Sequence, residues 1–244
     1  MTAAWDDPRI SRGMAAQFQR RRELLSAGHK PLGWKLAFGA PAALQRLHTN
    51  APLVGFLLQS ALVPSGSSVS INDWKKPAAE PEIAVHLGKD LPAGADRETA
   101  KAAISGLGPA IEIADVDHPS DDVEGTLARN IYQRHIILGR NDGTCAGGIL
   151  DGLTGHVFRN GLEIASVSGP PALQELTGEL LDIVRHVANV LAIFGETLRA
   201  GQIIIAGSII PPLWVASGEE ILFNLAPVDT ITIRFAPASN GTLC

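Results

Sequence analysis

Cysteine is nearly absent from this chain. The two that occur, Cys145 and Cys244, stand far apart and form no metal or redox spacing, so neither a disulfide framework nor a thiolate metal site is expected. Aromatic residues are also scarce, at 5%, which leaves the core to aliphatic side chains. Basic runs are missing: the longest is Arg20-Arg21-Arg22, in a chain of formal net charge −5. Binding a polyanion needs a clustered basic footprint, so nucleic acid is not an expected partner. Long apolar runs are missing too. The most apolar stretch, Gln202 to Val215, is broken by Gly207, Pro211 and Pro212 and is too short to span a bilayer. The opening residues MTAAWDDPRI lack a basic region followed by an apolar run, so no secretory signal is expected. Neither a membrane partner nor a location outside the cytoplasm is called for.

What is present is a hydrophobic fraction of 45% over 244 residues, enough for one large domain or one domain with a small appendage. Pro8 to Ala27 carries Ile10, Met14, Phe18 and Leu24-Leu25 at helical spacing and stops at Gly28, which predicts an amphipathic helix. Gly33 to Phe38 reads as a short strand and Pro41 to His48 as one or two helical turns. Short runs bounded by Gly, Pro, Asn and Asp then predict strands at Ala61 to Val63, Ser68 to Ile71, Glu80 to Leu87, Ala110 to Val116 and His135 to Leu138. Gly152 to Val157 and Glu163 to Val167 form a further pair around Asn160-Gly161, residues suited to a tight turn with positive φ. Pro171 to Phe194 predicts one long helix stopped by Gly195, and strands follow at Ile203 to Ala206, Glu220 to Leu225 and Thr230 to Phe235. Strands separated by turns rather than by regular helices point to an α+β fold with mixed pairing.

Within the Glu80 to Leu87 strand, Glu80, Glu82, Ala84 and His86 share one side, and Pro81, Ile83, Val85 and Leu87 the other. About thirty residues on, Glu112 stands opposite Ile111 and Ile113. Two readings follow. Three converging carboxylates repel unless a cation neutralises them, and an oxygen-only set suits Mg²⁺ or Mn²⁺. Equally, an alternating strand with Glu on its wet side is what any half-exposed sheet produces, and periodicity does not choose between them.

Several segments, in order, resemble the fumarylacetoacetate hydrolase superfamily. The similarity is strongest to its branch of 2-keto-4-pentenoate (2-hydroxypentadienoate) hydratases and 2-oxo-3-hexenedioate decarboxylases. Gly33-Trp34-Lys35-Leu36 is similar to the branch's Gly-x-Lys strand. Glu80-Pro81-Glu82-Ile83-Ala84 with Leu87-Gly88-Lys89-Asp90-Leu91 resembles its Glu-x-Glu strand, and Pro109-Ala110-Ile111-Glu112 its third-carboxylate segment. LAIFGETLRAGQIIIAG, Leu191 to Gly207, resembles its C-terminal helix, turn and strand.

The resemblance implies a mixed β-sheet roll of the fumarylacetoacetate hydrolase C-terminal type over 61–244, preceded by a helical arm and first strand over 1–60, with one long packed helix. It implies Glu80, Glu82 and Glu112 as ligands of Mg²⁺ or Mn²⁺, and a small 2-oxo acid, which chelates through a carboxylate and its 2-oxo oxygen, as substrate. Lys35 becomes the expected second catalytic group, shuttling a proton or holding the substrate carboxylate. Arg129 and Asn130, in the segment with Tyr132 and Arg134, are expected to bind substrate. Asp115, Asp117, His118 and His86 are weaker candidates for outer roles. A homo-oligomer, or pairing with a related decarboxylase or hydratase subunit, is implied as well. The expected activity is hydration of a 2-hydroxydienoate, with decarboxylation, acylpyruvate-type C–C hydrolysis and a catalytically silent paralogue as alternatives. For hydrolysis, the His–Glu pair of that branch is not found. The chain departs from the branch at Leu53, Ser60, Gln202 and Ala206, changes expected to lie around the active-site wall.

Overall fold

Asp7 opens the first helix: its carboxylate accepts from the Arg9 backbone N–H at 2.8 Å, and Pro8 supplies a first residue that needs no partner for its nitrogen. The computed structural model describes residues 6–237; Cys244 and the first five residues of the opening segment lie outside the described residues. Helix α1 (Pro8–Ser26) buries Ile10, Met14 and Phe18. It also buries Gln17, whose amide donates to the carbonyls of Val54 (3.2 Å) and Leu127 (2.9 Å). Strand β1 (Pro31–Ala37), helix α2 (Pro41–Leu47) and strand β2 (Leu53–Leu58) follow.

The remaining strands are β3 (Ser68–Val69), β4 (Pro77–Leu87), β5 (Ile104–Asp115), β6 (Gln133–Leu138), β7 (Thr154–Arg159), β8 (Leu162–Ser168), β9 (Ile203–Ser208), β10 (Leu213–Trp214), β11 (Glu220–Ala226) and β12 (Asp229–Phe235). They form two sheets: a seven-stranded one in the order β2-β1-β9-β4-β5-β6, with β10 added on β4, and a five-stranded one in the order β3-β12-β11-β7-β8. Strands β11 and β12 lie against β5. Between the layers sits a mostly aliphatic core that includes Ile83, Val85, Ile111, Ile113 and Ile231, with Phe223 among them. The α+β class and the mixed sheet are as the sequence predicts, and the Asn160-Gly161 turn has φ of 51° and 78°.

Two expected elements differ. Ala61 to Val63 is not a strand; a 3₁₀ turn over Gln59–Ala61 leads to a single bridge from Leu62 to Ile136. The long helix is broken into α5 (Pro170–Leu173) and α6 (Leu180–Ile193). Gly178 takes φ +92° between them, and the Gln174 and Glu179 side chains accept from the N–H groups of Leu180 and Asp182. Local capping has overridden a continuous apolar stripe. Two short helices were not anticipated, α3 (Arg97–Ala103) and α4 (Val123–Ala128). Each starts at an aspartate, Asp96 or Asp122, that caps a backbone N–H three residues on.

Candidate active site

Strands β4 and β5 are antiparallel, with Glu80 directly opposite Glu112 and Glu82 opposite Ala110. Directly opposed residues share a face, so the register alone projects all three carboxylates to one side. One oxygen from each of Glu80, Glu82 and Glu112 lies within 4.8 Å of the others. This face is closed to bulk water at Glu82 and Glu112, while Glu80 is half-buried at its edge. Strand β4 is flanked by β5 on one edge and β9 on the other, and Glu82 and Glu112 are 0% exposed. The ordinary wet-face reading of the alternation is therefore overturned.

The electrostatics follow from that burial. Desolvation pushes the Glu82 carboxyl well above the usual carboxylate range, and the charges of Glu112 and Glu80 add to the effect. Glu80 is raised by desolvation, partly offset by Lys35. Glu112 is raised to about 7, again by desolvation, with Lys35 pulling it down and Glu80 pushing it up. Each buried pair of oxygens is divided in use. Glu82 Oε2 accepts from the Gly207 N–H at 2.7 Å, and Glu112 Oε1 accepts from Lys35 Nζ. Glu82 Oε1 and Glu112 Oε2 have no hydrogen-bond partner. Buried acceptors without donors, in a cluster of excess negative charge, fit a hard divalent cation. Gly207 matters here because φ of +99°, at a register break between β4 and β9, turns its N–H to Glu82.

Lys35, on β1, is 1% exposed. Its ammonium donates to Glu112 and to the Ile131 carbonyl at 3.2 Å. It lies over Gly55, where a Cβ would come within 2.9 Å of Lys35 Cγ. The carbonyl that holds Lys35 belongs to an unusual segment: Asn130, Ile131 and Tyr132 have φ of 61°, 51° and 62°. Consecutive left-handed residues without glycine cost on the order of 1–3 kcal/mol each and persist only where surroundings enforce them. Here Asn130 Oδ1 accepts from the Phe56 N–H (2.8 Å) and Asn130 Nδ2 donates to the Phe56 carbonyl (2.9 Å). The Tyr132 carbonyl accepts from Asp115 N–H at 3.0 Å. An Asn130→Ala protein, losing both bonds in a disfavoured backbone, is expected to be less stable by about 2 kcal/mol. Its Tm should fall by roughly 4–8 °C in a thermal melt, together with a loss of turnover as Lys35 loosens; an unchanged Tm would rule this anchor out.

Lys35 and Glu80 line a cavity of about 390 Å³. Its walls are largely apolar, with Leu36, Phe38, Val116, Ile131, Ile210 and Trp214 among them, and Tyr132, Thr177 and Ser208 add polar atoms. It is not filled by Trp34, which is stacked between Phe18 and Arg21 with its Nε1–H donating to Gln202. The other lining cations, Arg46 and Lys76, had not been singled out in the sequence; their only signals are a place on α2 and a place just before β4.

Other expected residues fall elsewhere. Arg129 and Asn130 line a second cavity of about 330 Å³, with Phe56, Ser60, His118 and Arg134. The geometry does not bring Arg129 to the carboxylates, and the Asn130 amide is committed to Phe56. Asp117 and His118 pair with each other at 2.6 Å beside that second cavity. Asp115 accepts from the backbone N–H groups of Lys75 and Lys76. His86 is removed from the cavity and lies beside Gly108, its imidazole lowered by desolvation. The departures from the branch are not where expected. Leu53 lines an apolar gap with Ile10 and Met14, Ser60 bonds His29, and Gln202 holds Trp34. Only Ala206 lines the cavity of the carboxylates.

Known proteins are similar to this chain in sequence and fold. The chain is 27% identical over 215 residues to the 2-hydroxyhexa-2,4-dienoate hydratase of Comamonas testosteroni, covering 86% of this chain and 80% of that one. It is 28% identical to the TodF product hydratase of Pseudomonas putida, covering 92% and 83%. A solved structure of 4-oxalocrotonate decarboxylase from Pseudomonas putida G7, complexed with magnesium and adipate, superposes with a TM-score of 0.81 at 26% identity, covering 91% and 84%. The family model described as fumarylacetoacetate (FAA) hydrolase C-terminal matches residues 35–236, a span that holds both sheets except the first residues of β1 and all of the carboxylate site, and the chain belongs to that family.

Proposed function

We propose that the chain is a metal-dependent lyase of the 2-keto-4-pentenoate hydratase type, adding water to a 2-hydroxydienoate to give a 4-hydroxy-2-oxo acid. The observation that carries this reading is the pair of unsatisfied buried oxygens, Glu82 Oε1 and Glu112 Oε2, beside Lys35 at an open cavity. Glu80, Glu82 and Glu112 would hold Mg²⁺ or Mn²⁺, which supplies Lewis-acid polarisation of the substrate's 2-oxo oxygen. A lysine ammonium has three donors. Two of those of Lys35 are used on Glu112 and Ile131, so one remains for the substrate carboxylate or for proton transfer.

The net change is balanced. The dienol O–H proton is given up as a proton is delivered to C5, forming the 2-oxo-3-enoate. The water oxygen then bonds C4 and its proton goes to C3. Apolar walls keep bulk water from competing for the carbanionic carbon. The likeness to the hydratases of Comamonas testosteroni and Pseudomonas putida supports this reading.

A second reading is decarboxylation of a 2-oxo-enedioate on the same carboxylates. The exposed cations Arg46 and Lys76 in the cavity lining favour it, as does the likeness to 4-oxalocrotonate decarboxylase. The test incubates the protein with 2-hydroxypenta-2,4-dienoate and with 2-oxo-3-hexenedioate. Ultraviolet absorbance and CO₂ release are followed before and after chelation. Loss of dienoate absorbance without CO₂ is expected, abolished by chelator and restored by Mg²⁺. Turnover that survives complete metal removal would sink both readings.

A further inference from the structure

The charged residues lining the cavity fall into two groups. Lys35 and Glu80 belong to the carboxylate cluster, whereas Arg46 and Lys76 are both solvent-exposed. The rest of the lining is largely apolar, with polar atoms from Ser120, Tyr132, Thr177 and Ser208 and no further acidic side chain. Surface arginines and lysines are ordinarily solvated charges with no task, yet neither of these is placed like one. Arg46 stands one helical turn from Ala43 on α2, so that Ala43 and Arg46 share the face turned to the cavity. Its guanidinium has no partner among the described residues.

Lys76 is held at both ends. Its backbone N–H donates to the buried Asp115 carboxylate at 2.9 Å, and its ammonium lies 4.0 Å from the centre of the Trp214 ring. A cation stacked on an aromatic ring has less rotamer freedom to lose when it meets an anion. A fixed lysine and an unpaired arginine, lining one largely apolar cavity together with Lys35 and Glu80, match a carbon chain that ends in a second anion.

We infer that Arg46 and Lys76 bind a second carboxylate, so that this site prefers a dicarboxylic 2-oxo acid to the matching monoacid. The inference rests on the proposed function in placing the 2-oxo acid end at Glu80, Glu82 and Glu112. A diacid is the substrate of the decarboxylation reading, and a 2-hydroxydienoate that carries a distal carboxylate can also enter the hydration. Arginine is suited to the task by its planar, bidentate match to a carboxylate.

The test measures binding with two saturated probes that cannot react, 2-oxoadipate and 2-oxohexanoate, by calorimetry in the presence of Mg²⁺. These probes share the metal-facing end and differ in the distal carboxylate. The full chain should bind 2-oxoadipate at least about tenfold more tightly, the size of one or two charge-assisted hydrogen bonds. In Arg46→Gln and Lys76→Gln proteins, both altered at exposed positions, that ratio should shrink to below about threefold. Equal affinity for the two probes in the unaltered protein overturns the inference while leaving the cation site standing. So does an Arg46→Gln protein that loses affinity for both probes alike. If neither probe binds in an Mg²⁺-dependent way, the inference and the proposed function fall together.

Discussion

A Glu82→Gln protein is expected to lose divalent-cation binding and turnover while melting higher than the unaltered protein when metal-free. The two effects have one cause. Glu82 is fully buried, has no cationic partner of its own and faces two other carboxylates. Without a cation, desolvation and mutual repulsion oppose its ionisation. A neutral amide of the same shape can still accept from Gly207 and removes one charge. A gain of about 1–2 kcal/mol in the metal-free state would raise Tm by roughly 2–8 °C at this chain length.

The pH dependence gives the sign a second check. Glu112 is raised in the folded state from 4.5 to about 7, and Glu82 is raised as well. Between those values the folded protein keeps protons that the unfolded chain has released. Stability of the metal-free protein therefore falls as pH rises through this window. Mg²⁺ requires the ionised carboxylates, so its stabilisation grows over the same range. Thermal melts at pH 5 and pH 8, with and without Mg²⁺, should show both trends, and a flatter metal-free profile for the variant. Turnover should drop on the order of 10³-fold, the worth of several kcal/mol of Lewis-acid stabilisation. Undiminished Mg²⁺ affinity in Glu82→Gln would remove Glu82 from the site.

How much of this was legible in the sequence depends on the range of the interaction involved. Alternation placed Glu80 and Glu82 on one face, and the ordered motifs singled out Glu112 and Lys35. The cross-strand register that sets Glu80 against Glu112 is a pairing between distant segments, and no local pattern encodes it. The same distance hid the burial. Glu82 looks solvent-facing by periodicity because periodicity sees one strand, whereas β5, β9 and the segments over the cavity close its surroundings. Arg129 stands apart from the carboxylates for a related reason. Three left-handed residues, from Asn130 to Tyr132, turn the backbone so that the Ile131 carbonyl meets Lys35 while Arg129 lines the other cavity. No residue in that run is a glycine, the usual sign of such a turn. Leu53 and Gln202 looked like lost active-site groups, but the structure uses them for packing under α1 and for holding Trp34.

Replacing Lys35 by Met should produce the opposite thermodynamic signature to Glu82→Gln, with a similar loss of activity. Lys35 is the cation that partly offsets the raised carboxyls of Glu80 and Glu112, and its ammonium bonds Glu112 directly. Removing one partner of a buried pair typically costs about 3–5 kcal/mol; proton uptake by Glu112 relieves part of that at low pH. The metal-free variant should accordingly melt lower, and the deficit should widen as pH rises. Mg²⁺ should then bind more tightly than to the unaltered protein, because the site loses its competing positive charge and keeps all three carboxylates. Turnover should nonetheless fall by about 10²–10⁴, the range for loss of a positioned proton-transfer group. A Lys35→Arg protein separates charge from chemistry. It keeps the positive charge, but the rigid guanidinium has to fit where Lys35 Cγ already leaves no room for a Cβ at Gly55. Calorimetric titration with Mg²⁺ and steady-state rates on the dienoate decide the matter. Lys35→Met with tighter Mg²⁺ binding and lost turnover makes Lys35 an actor on the substrate. Parallel loss of both would reduce it to a support for the metal site.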